Sequence, residues 1–444
     1  MRILILNQFY APDAAPTGQV AHDLARALVA RGHTVSALAS RRSYSGTAVY
    51  PAREILDGVL VQRLAALSFG PKNHVRKLLA YASFYVATAI RLALLRPRPD
   101  VVVALTTPPY IGLLARLVGS WRGWRRVHWI MDLYPDVLAA HGMLGWGVGG
   151  RLVGAGLRWL TRCEFAGARA VLTLGPDMAA RCGCYVRSPE RVEWVPLWAA
   201  EGLYSADADA VRRLRHERGW DGKLVLLYSG NMGLGHRFGE FLAAAAQSAE
   251  RGGQRIEGGG SGGESAATSR ALEREPAVRS TAVRSAAVRS TAVRSTFVFA
   301  GGGRRRAQIE AFVGAHRGAP VELLPYATAE DLAVHLRSGD VLLASLDPAW
   351  VGCMLPSKLQ GGFAAGRPVI FVGPRACALA RWIEEAGAGW VVDSGDVAGL
   401  LAAVQAAGVA EERWRRGAAA QAYARRRFDH SENCRRIAVL IEGG

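Results

Sequence analysis

The sequence predicts an α/β protein made of two consecutive doubly wound, Rossmann-like units facing each other across a cleft. Three observations carry that expectation. Short β-branched runs alternate with helix-length segments, the pattern of parallel sheets covered on both faces. The alternation starts at the first residues, pauses, and begins again after about residue 200. A chain of 444 residues also exceeds what one hydrophobic core usually serves, so two units of roughly 200 residues are expected.

Taken in order, residues 3–6 read as the first strand, 18–31 as its helix, and 34–39 as the second strand after the Gly32-His33 turn. Further strands are expected at 59–64, 101–105, 127–131 and 170–174, and the segment 195–200 reads as a hinge. The second series holds a strand at 224–230 that ends in glycine, a helix at 238–250, and strands at 297–300, 321–324, 340–344, 369–372 and 390–392. The expected domains are therefore 1–198 and 199–422, with the last 22 residues, 423–444, set apart. An irregular insertion is expected over 252–296, where Gly258-Gly-Gly-Ser-Gly-Gly263 precedes four pentapeptides of the form Ala-Val-Arg-Ser-Thr, one ending in Ala. A five-residue period is too short for a solenoid unit, and this composition buries too little to order itself.

The formal charge is +18, but the arginines are scattered and no nucleic-acid motif accompanies them, so nucleic acid is not an expected partner. Anionic substrates or an anionic membrane surface suit the excess. Six cysteines, of which only Cys182 and Cys184 are close and without zinc or thioredoxin spacing, read as free thiols of a reduced cytoplasmic protein. The chain opens on a strand rather than a charged and apolar leader, and secretion is not expected. Residues 78–95 are apolar apart from Arg91 and flanked by Lys72, Arg76, Lys77, Arg96 and Arg98. Eighteen residues stand at the lower limit for crossing a bilayer. A helix lying in the membrane interface, or a domain helix with a basic end, is the better reading.

The segment 346–373 is the richest in chemistry, because the turn Pro356-Ser357-Lys358 opens a small-residue helix before a buried strand. Backbone amides at such a turn, with a cation beside them, suit a diphosphate. Lys358 is one of only four lysines in this arginine-rich chain; its alternative is a solvated surface Lys. Three glycine turns follow strands: Pro16-Thr-Gly-Gln19, Ser229-Gly-Asn-Met-Gly-Leu-Gly-His236, and Gly301-Gly-Gly-Arg-Arg-Arg306. The third alone reads as a plain turn. Asp132, just past a buried strand, either meets a hydroxyl of donor or acceptor or caps the next helix. His128 inside that strand reads as a core histidine, whereas His236 and Arg237 either offer positive charge to a diphosphate or lie on the surface. Motifs for covalent or metal chemistry are missing, and the acids near the cleft form no Asp-x-Asp pair, so a metal-independent reaction without cofactor is expected.

Asn7-Gln-Phe-Tyr-Ala-Pro-Asp13 with Thr17-Gly18, Met131-Asp-Leu-Tyr-Pro-Asp136, Tyr228-Ser-Gly-Asn231, Pro356-Ser-Lys358 with Ala365-Gly-Arg-Pro368, and Gly395-Asp396 occur here in this order. With them the chain resembles the family-4 retaining glycosyltransferases of GT-B fold, in the branch that builds O-antigens, colanic acid and related exopolysaccharides. The resemblance implies an N-terminal acceptor domain, a C-terminal nucleotide-sugar domain, and a last helix, near 431–441, that packs back on the first. It places Gly18 across the cleft from the donor diphosphate, Gly230, Asn231 and Pro356 around the donor, and Ser357 and Lys358 on the diphosphate; Lys358 and, from its own position past the strand, Asp132 are the expected catalytic residues. The implied reaction is transfer of an N-acetylhexosamine or a related sugar from a nucleoside diphosphate, UDP above all, to a polyprenyl-diphosphate-linked glycan, with peripheral contact to the cytoplasmic membrane. An epimerase acting on UDP-N-acetylglucosamine and a silent nucleotide-sugar-binding subunit are the alternatives. The chain departs from the family where two glutamates usually hold the donor: Cys353 and Gly361 stand there, Val351 replaces a customary acid, and Asp347 is the nearest carboxylate.

Overall fold

The computed structural model describes residues 1–443 except 14, 45, 47, 67–73, 146 and 258–293. The first unit is an eight-stranded sheet of β1 (Arg2–Leu6), β2 (Thr34–Ser40), β3 (Arg53–Leu56), β4 (Val59–Leu64), β5 (Val101–Ala104), β6 (Arg125–Trp129), β7 (Ala170–Thr173) and β8 (Val192–Trp194). Its order is β3-β4-β2-β1-β5-β6-β7-β8, parallel except for the β3–β4 hairpin. The second unit is a six-stranded parallel sheet of β9 (Leu224–Ser229), β10 (Ser295–Ala300), β11 (Val321–Leu324), β12 (Val341–Ser345), β13 (Val369–Val372) and β14 (Gly389–Val392), ordered β11-β10-β9-β12-β13-β14.

Alternation along the strands divides each sheet between two cores. Ile3, Ile5, Val101 and Val103 face the helices Pro16–Ala30 and His430–Glu442, whereas Leu4, Leu6, Val102 and Ala104 face Phe84 and Leu92 of helix His74–Leu94 and Ile111 and Ala115 of helix Ile111–Arg122. Because both faces are covered, these strands are apolar throughout. The final helix lies against the first unit although it follows the second: Ile437 and Ile441 are fully buried there, each worth roughly 1.5–3 kcal/mol. The half-exposed Arg31–Glu442 pair at 2.6 Å adds little beside them. The segment expected to be a hinge is docked rather than free, with Val195 N–H donated to the Thr173 carbonyl and Trp198 Nε1–H to Asp23 at 2.8 Å.

Three expectations need correction. Strand β6 runs over Arg125–Trp129 rather than 127–131, because Met131 and Asp132 give their N–H groups to the Thr106 hydroxyl instead of the ladder. The edge strands β3 and β8 escaped notice because a short Arg-Glu-Ile-Leu or Val-Glu-Trp run carries no apolar signature. The insertion drawn over 252–296 is too wide: helix Gly239–Glu257 and strand β10 claim its two ends, and 258–293 lie outside the described residues. Among the described residues, no helix is long and apolar enough to cross a membrane.

Candidate active site

Strands β9 and β10 are neighbours, so their terminal glycine turns meet: Gly230 N–H donates to the Ala300 carbonyl at 2.9 Å and Met232 N–H to that of Gly302 at 2.6 Å. Gly230 (φ +125°) and Gly301 (φ +128°) have backbone angles that L side chains rarely adopt, and a Cβ on Gly301 would stand 2.2 Å from the Gly230 carbonyl oxygen. A Cβ on Gly230 would approach Lys358 Cε to 3.2 Å. The second glycine turn and Lys358 are thereby in contact, although they lie far apart in sequence.

Lys358 is the first residue of helix Lys358–Ala364, after buried Pro356 and exposed Ser357. Its Nζ donates to the Asn231 carbonyl at 3.3 Å and to His236 Nε2 at 3.1 Å, and lies 4.9 Å from the centre of the Tyr228 ring. His236 gives its Nδ1 proton to the Ser345 carbonyl at 2.8 Å, so Nε2 is left as an acceptor. Burial, reinforced by the charge of Lys358, pulls His236 down to about 3 and keeps the ring neutral. The positive charge that the sequence offered at His236 is thus absent. Arg237 is also committed elsewhere, to Glu240 at 2.6 Å and to Asp347 at 3.6 Å. Burial lowers Lys358 itself to about 7, and among the described residues no carboxylate pairs with it. A desolvated cation without a counter-ion at two strand ends is suited to an anion.

The third glycine turn does more than the plain turn expected. Arg305 reaches the Leu234 carbonyl at 3.1 Å, and its charge is felt at His236; exposed Arg304 acts in the same way on His141. The sequence placed both on the third glycine turn, and the adjacency of β9 and β10 sets that turn against the Gly230 turn that Lys358 touches.

Across the cleft, Asp132 forms an isolated antiparallel bridge with Met354, and Leu133 N–H donates to the Cys353 carbonyl at 2.8 Å. Met354 precedes Lys358 by four residues, so the two sites are separated by a span of at most roughly 14 Å of chain. Among the described residues no donor reaches the Asp132 carboxylate, and burial raises it to about 6. It does not cap the following helix, Asp136–Ala140, whose N-cap is Pro135 with no side-chain bond. Neighbouring Asp136 instead ties the units together, taking Arg181 and the Tyr185 hydroxyl at 2.6 Å each while Arg181 also reaches the Val351 carbonyl at 2.8 Å. His128 is buried in β6 and held neutral.

The remaining sequence candidates fall in different places. Gly18 is buried, and a Cβ there would lie 3.1 Å from the backbone of Phe9 and Tyr10, so close packing of the first loop already requires glycine. Gly361 faces the core rather than the glycine turns, since a Cβ there would lie 3.5 Å from Leu203 and 3.6 Å from Leu336. Cys353 is fully buried with its thiol pushed up to about 11, and Asp347 caps the short turn Pro348–Trp350. Asp347 also pairs with Arg237 at 3.6 Å.

Residues 17–198 match the glycosyl transferase 4-like domain family. The probable glycosyltransferase WbjE of Pseudomonas aeruginosa is 22% identical over 326 residues, covering 72% of this chain and 70% of that protein. Anabaena HepE, solved with UDP-glucose, superposes with a TM-score of 0.67 at 13% identity over 100% of both chains. The fold is GT-B. Two further GT-B structures agree: WaaG, a glycosyltransferase involved in lipopolysaccharide biosynthesis, at a TM-score of 0.66 and 17% identity over 100% of both chains, and sucrose-phosphate synthase from Thermosynechococcus elongatus at 0.71 and 15% over 100% of this chain and 98% of the other. In GT-B terms the Asp132 loop belongs to the N-terminal unit and the Lys358 turn to the C-terminal one.

Proposed function

We propose that the chain is a retaining, metal-independent glycosyltransferase that moves a sugar, an N-acetylhexosamine or a relative, from a UDP-type nucleoside diphosphate to a polyprenyl-diphosphate-linked glycan. The observation that carries this reading is Lys358, a cation without a counter-ion set against the Gly230 turn, with an unpartnered carboxylate on the other unit. HepE, which shares the fold, was solved with UDP-glucose, and WbjE and WaaG are named as glycosyltransferases.

Lys358, with Arg304 and Arg305, takes the diphosphate, while Gly230, Asn231, Pro356 and Ser357 line the donor side and Gly18 closes it from the N-terminal unit. Asp132 orients the attacking hydroxyl. The bond from the anomeric carbon to the phosphate oxygen breaks, the acceptor oxygen bonds to that carbon on the same face, and the acceptor proton passes to the departing phosphate. Stabilising the charge on that phosphate is the main task of the protein.

Incubation with extracted lipid acceptors and a panel of nucleotide-sugars, reading released nucleoside diphosphate, tests the reaction. Release that depends on acceptor supports transfer; conversion of UDP-N-acetylglucosamine without any lipid favours an epimerase; binding without turnover points to a silent subunit. The titration of Lys358 gives a separate check. Free Lys358 loses its proton through about pH 7, whereas a bound diphosphate holds it there, so UDP binding takes up a proton above that pH. UDP affinity should therefore fall as pH rises above 7, by up to about tenfold per unit, and calorimetry in buffers of different ionisation enthalpy should show the uptake.

A further inference from the structure

Three adjacent strands of the first sheet begin on arginine. Arg125 and Arg126 open β6, Arg169 stands directly before β7, and Arg191 directly before β8. These strands are parallel neighbours, so their amino ends fall in line, and the four arginines line one open cavity of about 550 Å³. Asp132 and the cleft lie past the carboxyl end of β6, whose five residues set roughly 16 Å of strand between them and the cavity. The cavity is therefore no part of the site described above.

The arginines are held in place but not neutralised. Arg126 donates to the Ala166 carbonyl at 2.9 Å, Arg191 to that of Ala168 at 3.1 Å, and Arg125 to Met1 Sδ at 2.9 Å. A guanidinium carries five N–H donors, so most of them remain open. Arg126 Nη1 and Arg169 Nε are shut off from solvent and reach no protein acceptor, a costly state for a charged donor. Among the described residues none of the four pairs with a carboxylate, although Glu190 and Glu193 line the same cavity. Four arginines against two glutamates leave an excess of two positive charges. The larger apolar side chains in the lining are only Trp124 and Leu440, so an apolar ligand would find little to bury against. Forked guanidinium donors instead match the oxygens of a phosphate, two at a time.

We propose that this cavity is a second anion site, which takes a small phosphorylated solute carrying two or more negative charges. The inference stands apart from the proposed transfer reaction. Leu440 belongs to the final helix His430–Glu442, and Arg169 lies against Gly443 so closely that a Cβ there would overlap its guanidinium. An anion held here sits between the amino ends of β6, β7 and β8 and the helix that returns from the second unit. Its binding should hold that helix down and raise the melting temperature by a few degrees.

Calorimetric titration of the full chain with inorganic pyrophosphate tests the proposal, in wild type and in the Lys358→Met variant, whose cleft lacks its cation. The variant should keep one saturable site. Adding Arg125→Gln with Arg191→Gln, both exposed and so without cost to the fold, should weaken that site at least about tenfold. Glu190→Gln with Glu193→Gln should tighten it severalfold, by removing the opposing charge. Arg212→Gln with Arg213→Gln, exposed on helix Ala208–Glu217 of the second unit, should change nothing. Absence of saturable binding in the Lys358→Met variant, an arginine pair that binds as well as its parent, or an equal loss in the control pair would overturn the proposal. If wild type and the Lys358→Met variant bind alike and both lose binding with the arginine pair, the cavity stands while the donor reading of Lys358 falls.

Discussion

Replacing Lys358 by Met should lower turnover about a hundredfold at saturating donor while leaving the fold intact. Met keeps the length and apolar stem that pack beside Gly230 and over the Tyr228 ring, and removes only the charge. Two effects on stability oppose each other: relief from burying a cation, and loss of the donor to His236 Nε2. Each is on the order of 1–3 kcal/mol, so the melting temperature should move by only a few degrees. The kinetic effect should fall more on kcat than on donor KM, because negative charge grows on the phosphate as the sugar leaves. Near-normal kcat in this variant would remove Lys358 from the chemistry. The decline of UDP affinity above pH 7 should vanish in the same protein, a readout that a merely structural lysine would not change.

The sequence made Lys358 visible because a lysine is rare in this chain and because it opens a helix after Pro-Ser. It could not reveal that His236, which looks like a second cation, is the acceptor of the first. That depends on the Ser345 carbonyl at the end of β12, more than 100 residues away, which fixes the ring proton on Nδ1. The apolar runs of the central strands were legible throughout, since strands covered on both faces must be continuously hydrophobic. Edge strands β3 and β8 were not, because solvent on one side permits Arg, Glu and Trp in them. Helix His74–Leu94 was legible as a long apolar segment with basic flanks, but its packing of Phe84 and Leu92 against β1 and β5 depends on the sheet order.

Asp132→Asn should produce the opposite signs in activity and stability that mark a carboxylate kept for function. Burial raises Asp132 to about 6, above its ordinary value, and among the described residues no donor offsets that cost. By linkage the carboxylate is a liability that grows as pH rises from the unfolded value near 4 and is fully present above about 6. Asn removes it, so the variant should be more stable than wild type at pH 7, by on the order of 1 kcal/mol, and no more stable at pH 4. Denaturant melts at the two pH values would show this. Turnover should move the other way, down about a hundredfold, since Asn Oδ1 accepts only a weaker, neutral hydrogen bond and lacks the charge that polarises the attacking hydroxyl. In wild type kcat should rise with pH through about 6, and in the variant that limb should be absent. A structural Asp132, such as the helix cap its position in sequence allowed, would instead lose stability on this change and leave the pH profile where it was. Gain of stability with loss of turnover would place Asp132 on the acceptor side of the cleft, opposite the phosphate held by Lys358.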